Sequence, residues 1–279
     1  MKTTIQYISD ELAAFYPSSE IRGFIRLIMD SVFGLSYTQM ILQKEMIAEN
    51  SKKEQLDSIL ERLKKYEPIQ YILGETEFYG LKMKVNPSVL IPRPETEELV
   101  QWILETEAVK NSKILDIGTG SGCIALAVKS GRPVSMVTGI DISEQALQMA
   151  RENAVLNLLE VNFTQADILQ WNSVEWEMFD VVASNPPYVR ESEKQLMRAN
   201  VLDFEPVSAL FVPDDDPLRF YRAIAGFSVR YLNNGGYLFL EINEYLGAEM
   251  KELLQDVGFR NIELRMDILG KNRMIRCQK

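Results

Sequence analysis

The sequence predicts an α/β protein: a doubly wound, mostly parallel, Rossmann-like sheet preceded by a small helical bundle. Three observations carry this. From residue 113 onward, short apolar runs alternate with amphipathic segments, the pattern of strands joined by helices. A glycine-rich turn, Gly118 to Gly122, closes the first run, and Asn185-Pro186-Pro187-Tyr188 closes the fourth. Before them, the N-terminal stretch repeats its apolar residues every three or four positions, the period of a helix with one buried face.

In chain order, Ile5, Ile8, Leu12 and Phe15 form the first stripe, Pro17 and Ser18 interrupt it, and Ile21, Phe24, Ile25, Ile28 and Met29 form the next. Leu56, Ile59, Leu60 and Leu63 follow, ending in Lys64-Lys65. We expect a bundle of about four helices over residues 1–67. Residues 68–94 change character: Gly74, Gly80, Pro87, Pro92 and Pro94 punctuate short apolar runs, as in a β-hairpin linker. Residues 95–279 are then the α/β domain. It opens with a helix from Glu95 to Glu107. Strands are expected at Lys113 to Ile117, Met136 to Ile140, Val161 to Gln165, Phe179 to Ser184 and Gly236 to Ile242. Helices are expected at Ile124 to Lys129, Ser143 to Leu156, Leu218 to Leu232 and Ala248 to Val257, the last stopped by Gly258. Ile262 to Cys277 is expected to form a final hairpin.

Composition narrows the chemistry. The 279 residues are 46% hydrophobic and 25% charged, ordinary for a soluble globular protein. No run approaches the roughly 20 apolar residues of a membrane span. Met1 to Asp10 lacks a signal-peptide apolar core, and two distant cysteines form neither a disulfide framework nor a metal cluster. No metal and a cytoplasmic setting are the resulting expectations. The absence of histidine removes imidazole-based triads and histidine zinc sites. Residues 1–65 hold nine basic and nine acidic side chains, so the rest of the chain carries the whole net charge of −10. Such a region is a poor match for a phosphate backbone, and no direct nucleic-acid partner is expected.

The glycine turn reads Asp116-Ile117-Gly118-Thr119-Gly120-Ser121-Gly122. Its spacing is not the G-x-G-x-x-G of a dinucleotide site. Asp116 precedes the first glycine, which suits a ligand carrying an ammonium group rather than a pyrophosphate. Asp141, at the end of the second strand, can take two ribose hydroxyls, with Ile142 against the adenine face. Asp167 follows the third strand, where an acid can receive the adenine amino group, and Ile168 would line the ring. Three acids at successive strand ends match the ligand crevice of doubly wound sheets. They point to S-adenosylmethionine (SAM), with S-adenosylhomocysteine as product.

Asn185-Pro186-Pro187-Tyr188 suits methylation of a planar, conjugated NH₂ group. The nitrogen lone pair of such a group is delocalised, and acceptors for both of its N–H bonds make it available. The Asn185 side-chain oxygen and the Pro186 carbonyl are such acceptors, proline fixes the backbone, and Tyr188 offers a flat face. Glutamine amides and the exocyclic amines of adenine and cytosine all qualify.

The chain resembles the PrmC/HemK release-factor glutamine methyltransferases over nearly its whole length. The resemblance rests on Pro68-Ile69-Gln70-Tyr71-Ile72-Leu73-Gly74, Glu77 to Leu81, Ile91-Pro92-Arg93-Pro94-Glu95-Thr96-Glu97, Asp116 to Gly122, Asp141, Asn185 to Tyr188, Phe204-Glu205-Pro206, Leu240-Glu241-Ile242 and Asp267 to Arg273. It implies a helical substrate-recognition bundle joined to a SAM-binding domain. The implied substrate is the glutamine of the Gly-Gly-Gln motif of class I peptide-chain release factors, and the product is N5-methylglutamine. By position, Gly118 to Gly122, Asp141, Ile168 and Asn185 would contact SAM, and Asn185 to Tyr188 would hold the glutamine. Family members can carry an aromatic where this chain has Ile168. Three other readings use the same motifs: a glutamine methyltransferase acting on a ribosomal protein, a DNA N6-adenine methyltransferase, and a silent SAM-binding module.

Overall fold

The computed structural model describes residues 3–106 and 111–279. The chain divides into two compact units, 1–74 with 198–204, and 75–197 with 205–279.

In the first unit, α1 (Thr4–Leu12) is capped by Thr3, whose side chain accepts from Gln6 N. Pro17 precedes α2 (Ser18–Phe33), which stops at Gly34 in the left-handed region, the common way to end a helix. Helix α3 (Tyr37–Leu42) is short, starts in a Ser36/Gln39 capping box and buries none of its residues. Helices α4 (Asn50–Leu63) and α5 (Ile69–Leu73) complete the unit's N-terminal segment. The apolar stripes expected from the sequence close on one another: Ile8, Leu12, Ile28, Met29, Leu56, Leu60 and Leu63 are essentially inaccessible. Tyr16 donates its hydroxyl to the Leu63 carbonyl at 2.6 Å. The expected hairpin linker begins later than the composition suggests, because Ile69–Leu73 is helical and buries Ile69 and Tyr71.

The second unit opens with a hairpin, β1 (Glu75–Phe78) and β2 (Leu81–Lys84), paired antiparallel. Tyr79 and Gly80 both have positive φ, the backbone of a two-residue hairpin turn. Then come α6 (Pro94–Glu105), β3 (Lys113–Ile117), α7 (Cys123–Gly131), β4 (Met136–Asp141), α8 (Glu144–Leu156), β5 (Asn162–Gln165), β6 (Phe179–Ser184) and β7 (Val189–Arg190). Helix α6 carries proline at its first position, where the missing N–H costs nothing. Of its expected span, Glu107 lies outside the described residues. Helix α9 (Ala199–Phe204) belongs to the first unit. The chain ends with β8 (Phe211–Val212), α10 (Arg219–Tyr231), β9 (Leu232–Glu241), α11 (Gly247–Val257), β10 (Arg260–Met266) and β11 (Asn272–Gln278).

Seven strands form one sheet in the order β10-β11-β9-β6-β3-β4-β5. The pairs from β9 to β5 are parallel, and β11 is antiparallel to both β9 and β10. The expected final hairpin therefore completes the sheet edge. Side chains alternate across the sheet. Leu115, Ile117, Val182, Leu238 and Leu240 share a core with α10 and α11 residues such as Tyr221 and Leu254. Ile114, Val181, Ala183 and Phe239 share the opposite core with Leu99, Trp102 and Ile103 of α6 and Leu126 of α7. By this parity Asp116, Asn185 and Glu241 belong to the α6 and α7 face. The strand order reverses at β3, between β4 and β6. The carboxyl ends of those strands border the crevice where such sheets bind ligands.

Candidate active site

At the end of β3 the chain turns through Gly118, Gly120 and Gly122, all at positive φ, a conformation costly for any other residue. Asp116 anchors the turn: its Oδ2 accepts from the Thr119 hydroxyl at 2.6 Å and from Ala125 N at 3.2 Å. Thr119 needs space on β4, and Gly139 supplies it, since a Cβ there would lie 2.7 Å from the Thr119 hydroxyl oxygen. Asp116 Oδ1 is buried and has no partner among the described residues. Burial pushes the Asp116 carboxyl up to about 7, against the lowering effect of Thr119 and Ala125. A carboxyl held this way, with one oxygen short of a donor, fits a cationic ammonium, whose charge would favour the ionised form.

Asp141 braces the same turn from β4. Its Oδ2 accepts from Gly120 N and its Oδ1 from Ser143 N, each at 2.9 Å. Burial raises its pKa, and these N–H groups oppose that. Each oxygen keeps a lone pair for a further donor such as a ribose hydroxyl. Asn153 of α8 ties the loop to the β-hairpin: it accepts from Lys84 N at 2.6 Å and donates to the carbonyls of Lys84 and Ser121.

The structure thus joins Asp116, Gly118 to Gly122 and Asp141 through direct hydrogen bonds. Ile142 follows as an exposed side chain. Asp167 sits one residue past Ala166, whose N–H reaches the Asp141 carbonyl. Its two oxygens cap the following 3-10 helix, accepting from Leu169 N and Gln170 Nε2. Ile168 is buried in the core on the α10 side.

Beyond β6, Ser184 is fixed by a 2.7 Å bond to the Ile117 carbonyl, which places Asn185 next to the glycine turn. Pro186 is buried, while Asn185, Pro187 and Tyr188 are partly exposed. Asn185 Nδ2 donates to the Thr96 hydroxyl oxygen at 3.1 Å. Thr96 spends its own proton on Glu241 Oε2 at 2.6 Å. The other Glu241 oxygen accepts from the Tyr188 hydroxyl at 2.9 Å. Asn243 donates to the Tyr188 carbonyl at 3.0 Å. Arg273 approaches the Tyr188 hydroxyl oxygen at 3.4 Å. Burial raises the Glu241 carboxyl, and the Thr96 and Tyr188 hydrogen bonds oppose it. Burial beside Glu241 also holds the Tyr188 phenol well above its ordinary value, so it is a neutral donor. Among the described residues Asn185 Oδ1 accepts no hydrogen bond.

Sequence reasoning did not single out Glu241, Asn243 or Arg273 as site residues; Thr96 lay in the segment Arg93 to Glu97, expected to line the site without a derived role. Glu241 carried a visible signal: an acid closing the apolar run Tyr237-Leu238-Phe239-Leu240. The segment Arg93 to Glu97 now has a structural account. Glu205 accepts from Arg93 Nη2 at 2.5 Å and from Ile91 N at 3.2 Å. Glu97 accepts from Tyr79 N at 2.6 Å. The two glutamates pin both ends of the segment and hold Thr96 under Asn185.

Known proteins share this organisation. Residues 3–74 match the PrmC N-terminal domain model and residues 95–203 the methyltransferase small domain model. A release factor glutamine methyltransferase of Flavobacterium psychrophilum is 46% identical over 95% of this chain and 94% of its own length. One from Bacteroides thetaiotaomicron is 42% identical over the full length of both. Among solved structures, a Pyrococcus furiosus methyltransferase superposes with a TM-score of 0.54 at 20% identity, covering 72% of this chain and 89% of its own. A T. thermophilus 16S rRNA methyltransferase in complex with AdoMet and guanosine gives 0.54 at 19% identity, over 74% of this chain and 49% of its own. At those identities the structural likeness speaks for the class I methyltransferase fold alone. The sequence likeness goes further: the chain belongs to the release factor glutamine methyltransferase family.

Proposed function

We propose that this protein moves a methyl group from SAM to the side-chain amide nitrogen, N5, of the glutamine in the Gly-Gly-Gln motif of class I peptide-chain release factors, with S-adenosylhomocysteine as the second product. The observation that carries this reading is the Asn185 carboxamide, whose nitrogen is tied to Thr96 and whose oxygen is left for an N–H donor. Gly118, Thr119, Gly120, Ser121 and Gly122, with Asp116 and Asp141, would hold the cofactor. Ile142, Asp167 and Ile168 would border its adenine. Bound there, SAM supplies a methyl carbon activated by a sulfonium.

The chain's own part is binding and alignment. Asn185 Oδ1 and the Pro186 carbonyl accept the two amide N–H bonds, which turns the nitrogen lone pair out of conjugation. Pro186 and Pro187 keep that backbone rigid. Tyr188 packs its ring against the planar amide. The proton lost after transfer is acidic enough for water to take, so no imidazole is required, and the chain has none. Catalysis here is mainly positioning.

The helical segment 1–67 is proposed as the recognition module, 68–94 as the linker and 95–279 as the catalytic domain. No helix among the described residues is long and apolar enough to cross a membrane, and a cytoplasmic setting suits a release factor substrate. The relatives' names favour release factors over a ribosomal protein, and the acidic catalytic region disfavours DNA. Incubation with SAM and a purified release factor, followed by mass spectrometry of the Gly-Gly-Gln peptide, tests the proposal. One added methyl group on that peptide is expected. An unmodified peptide beside a methylated ribosomal protein or DNA would refute it.

A further inference from the structure

The Asn185 side chain is a symmetric-looking fork with opposite chemistry at its two tips. In one rotamer it offers an acceptor to the acceptor pocket, and in the flipped one a donor. Only the first can bind an NH₂ group. Something must choose between them, and the choice is made two side chains away.

Glu241 is the last residue of β9 and is 1% exposed. Its two oxygens receive two hydroxyl protons, from Thr96 and from Tyr188. Thr96 is itself 2% exposed. A hydroxyl has one proton. With that proton committed to a carboxylate, the Thr96 oxygen can only accept from its remaining neighbour. The Asn185 tip that faces it must be the nitrogen, as observed at 3.1 Å. The oxygen tip is then presented outward. The same carboxylate fixes Tyr188: its proton also points at Glu241, so the phenol cannot donate into the site.

We propose that Glu241 and Thr96 are positioning residues that set the polarity of the Asn185 carboxamide, so that the site accepts a nitrogen bearing two N–H bonds and repels groups that can only accept hydrogen bonds, such as a carboxylate. This rests on the amide-methylation reading above. Glu241 reaches the reacting group only through Thr96 and Tyr188. Removal of the proton sink lets Thr96 donate instead, and the Asn185 side chain then gains a reason to turn over. An acceptor amide would meet an NH₂ tip, a donor facing a donor.

The test uses the full-length enzyme, SAM and an intact release factor, comparing Thr96→Val, Thr96→Ser, Glu241→Met and Asn185→Ala. Thr96→Val keeps the side-chain shape and removes the hydroxyl; Thr96→Ser keeps the hydroxyl. We expect kcat to fall at least about tenfold in Thr96→Val and Glu241→Met, with KM for the release factor within about twofold, the signature of an interaction used in the transition state. Thr96→Ser restores kcat to within about threefold of the parent. Melting temperatures recorded alongside separate this from a packing role, which would move Thr96→Ser and Thr96→Val together. If Thr96→Val does not fold, Glu241→Met decides alone. A kcat near the parent value in Thr96→Val or Glu241→Met, or no recovery in Thr96→Ser, overturns the inference while leaving amide methylation intact, provided Asn185→Ala is inactive. Full activity in Asn185→Ala would instead overturn the amide-methylation reading itself.

Discussion

Arg93 and Glu205 lie 112 residues apart in sequence and meet at 2.5 Å, with the Glu205 side chain 1% exposed and that of Arg93 31% exposed. The carboxylate also receives Ile91 N, so it fixes the irregular segment leading into α6 and, in the helix's first turn, Thr96.

The asymmetry of this pair gives the first prediction. Arg93→Met strands a buried carboxylate with only one backbone donor and should cost about 3 kcal/mol. Glu205→Gln keeps an acceptor for Ile91 N and leaves a cation that can turn to water, costing about 1 kcal/mol. Urea unfolding of the two variants should give that order. Equal losses, or the reverse order, would show that the pair does not anchor this segment.

Asn153 supports the second prediction. Its carboxamide makes three hydrogen bonds, two to Lys84 and one to Ser121. Asn153→Ala should lower stability by about 3 kcal/mol and speed hydrogen exchange at the Lys84 amide. Unchanged exchange at Lys84 would mean that the hairpin holds its place without this clasp.

The third concerns pH. Burial, opposed by Thr119 and Ala125, raises the Asp116 carboxyl from 3.8 to about 7. A raised acid favours its neutral form in the folded state. Its stabilising contribution is therefore complete below about pH 3.8 and is lost as pH rises through about 7. Asp116→Asn has no such titration. Melting temperatures of the cofactor-free parent and variant, measured from acid to neutral pH, should diverge across that window, with the parent losing ground. Parallel curves would contradict the buried carboxyl.

Much of this was legible in the sequence. The five parallel strands and their helices follow from apolar runs alternating with amphipathic ones, and Gly118 to Gly122 announces a turn that only glycine fits. Asn185 was legible because proline pairs rarely follow a core strand without purpose. The helix Ile69–Leu73 was not, because Pro68 and Gly74 punctuate it as they would a loop. The pairing of Thr96 with Glu241 was hidden for another reason. Their chemistry exists only as a pair, and 145 residues separate them. Strand parity places Glu241 on the α6 face, but no local pattern says that a threonine waits there. The cap formed by Asp167 was one of the readings open there, since an acid after a strand serves either as ligand or as helix cap.

A fourth prediction separates charge from geometry at Asn185. Asn185→Asp keeps the outward oxygen but removes the nitrogen that donates to Thr96. It also sets a second carboxylate beside buried Glu241. Turnover should fall by about tenfold or more, more at high pH than at low pH, as both acids ionise. A variant as active as the parent at every pH would show that the nitrogen of Asn185 has no part in alignment.

The most direct measurement is single-turnover methyl transfer to an intact release factor by the parent enzyme and by Asn185→Ala, followed on the Gly-Gly-Gln peptide. Loss of the amide-aligning oxygen should slow transfer by about 100-fold or more while the melting temperature stays close to that of the parent. Transfer within about fivefold of the parent rate would contradict the role given to Asn185, and with it the account of how this site methylates an amide.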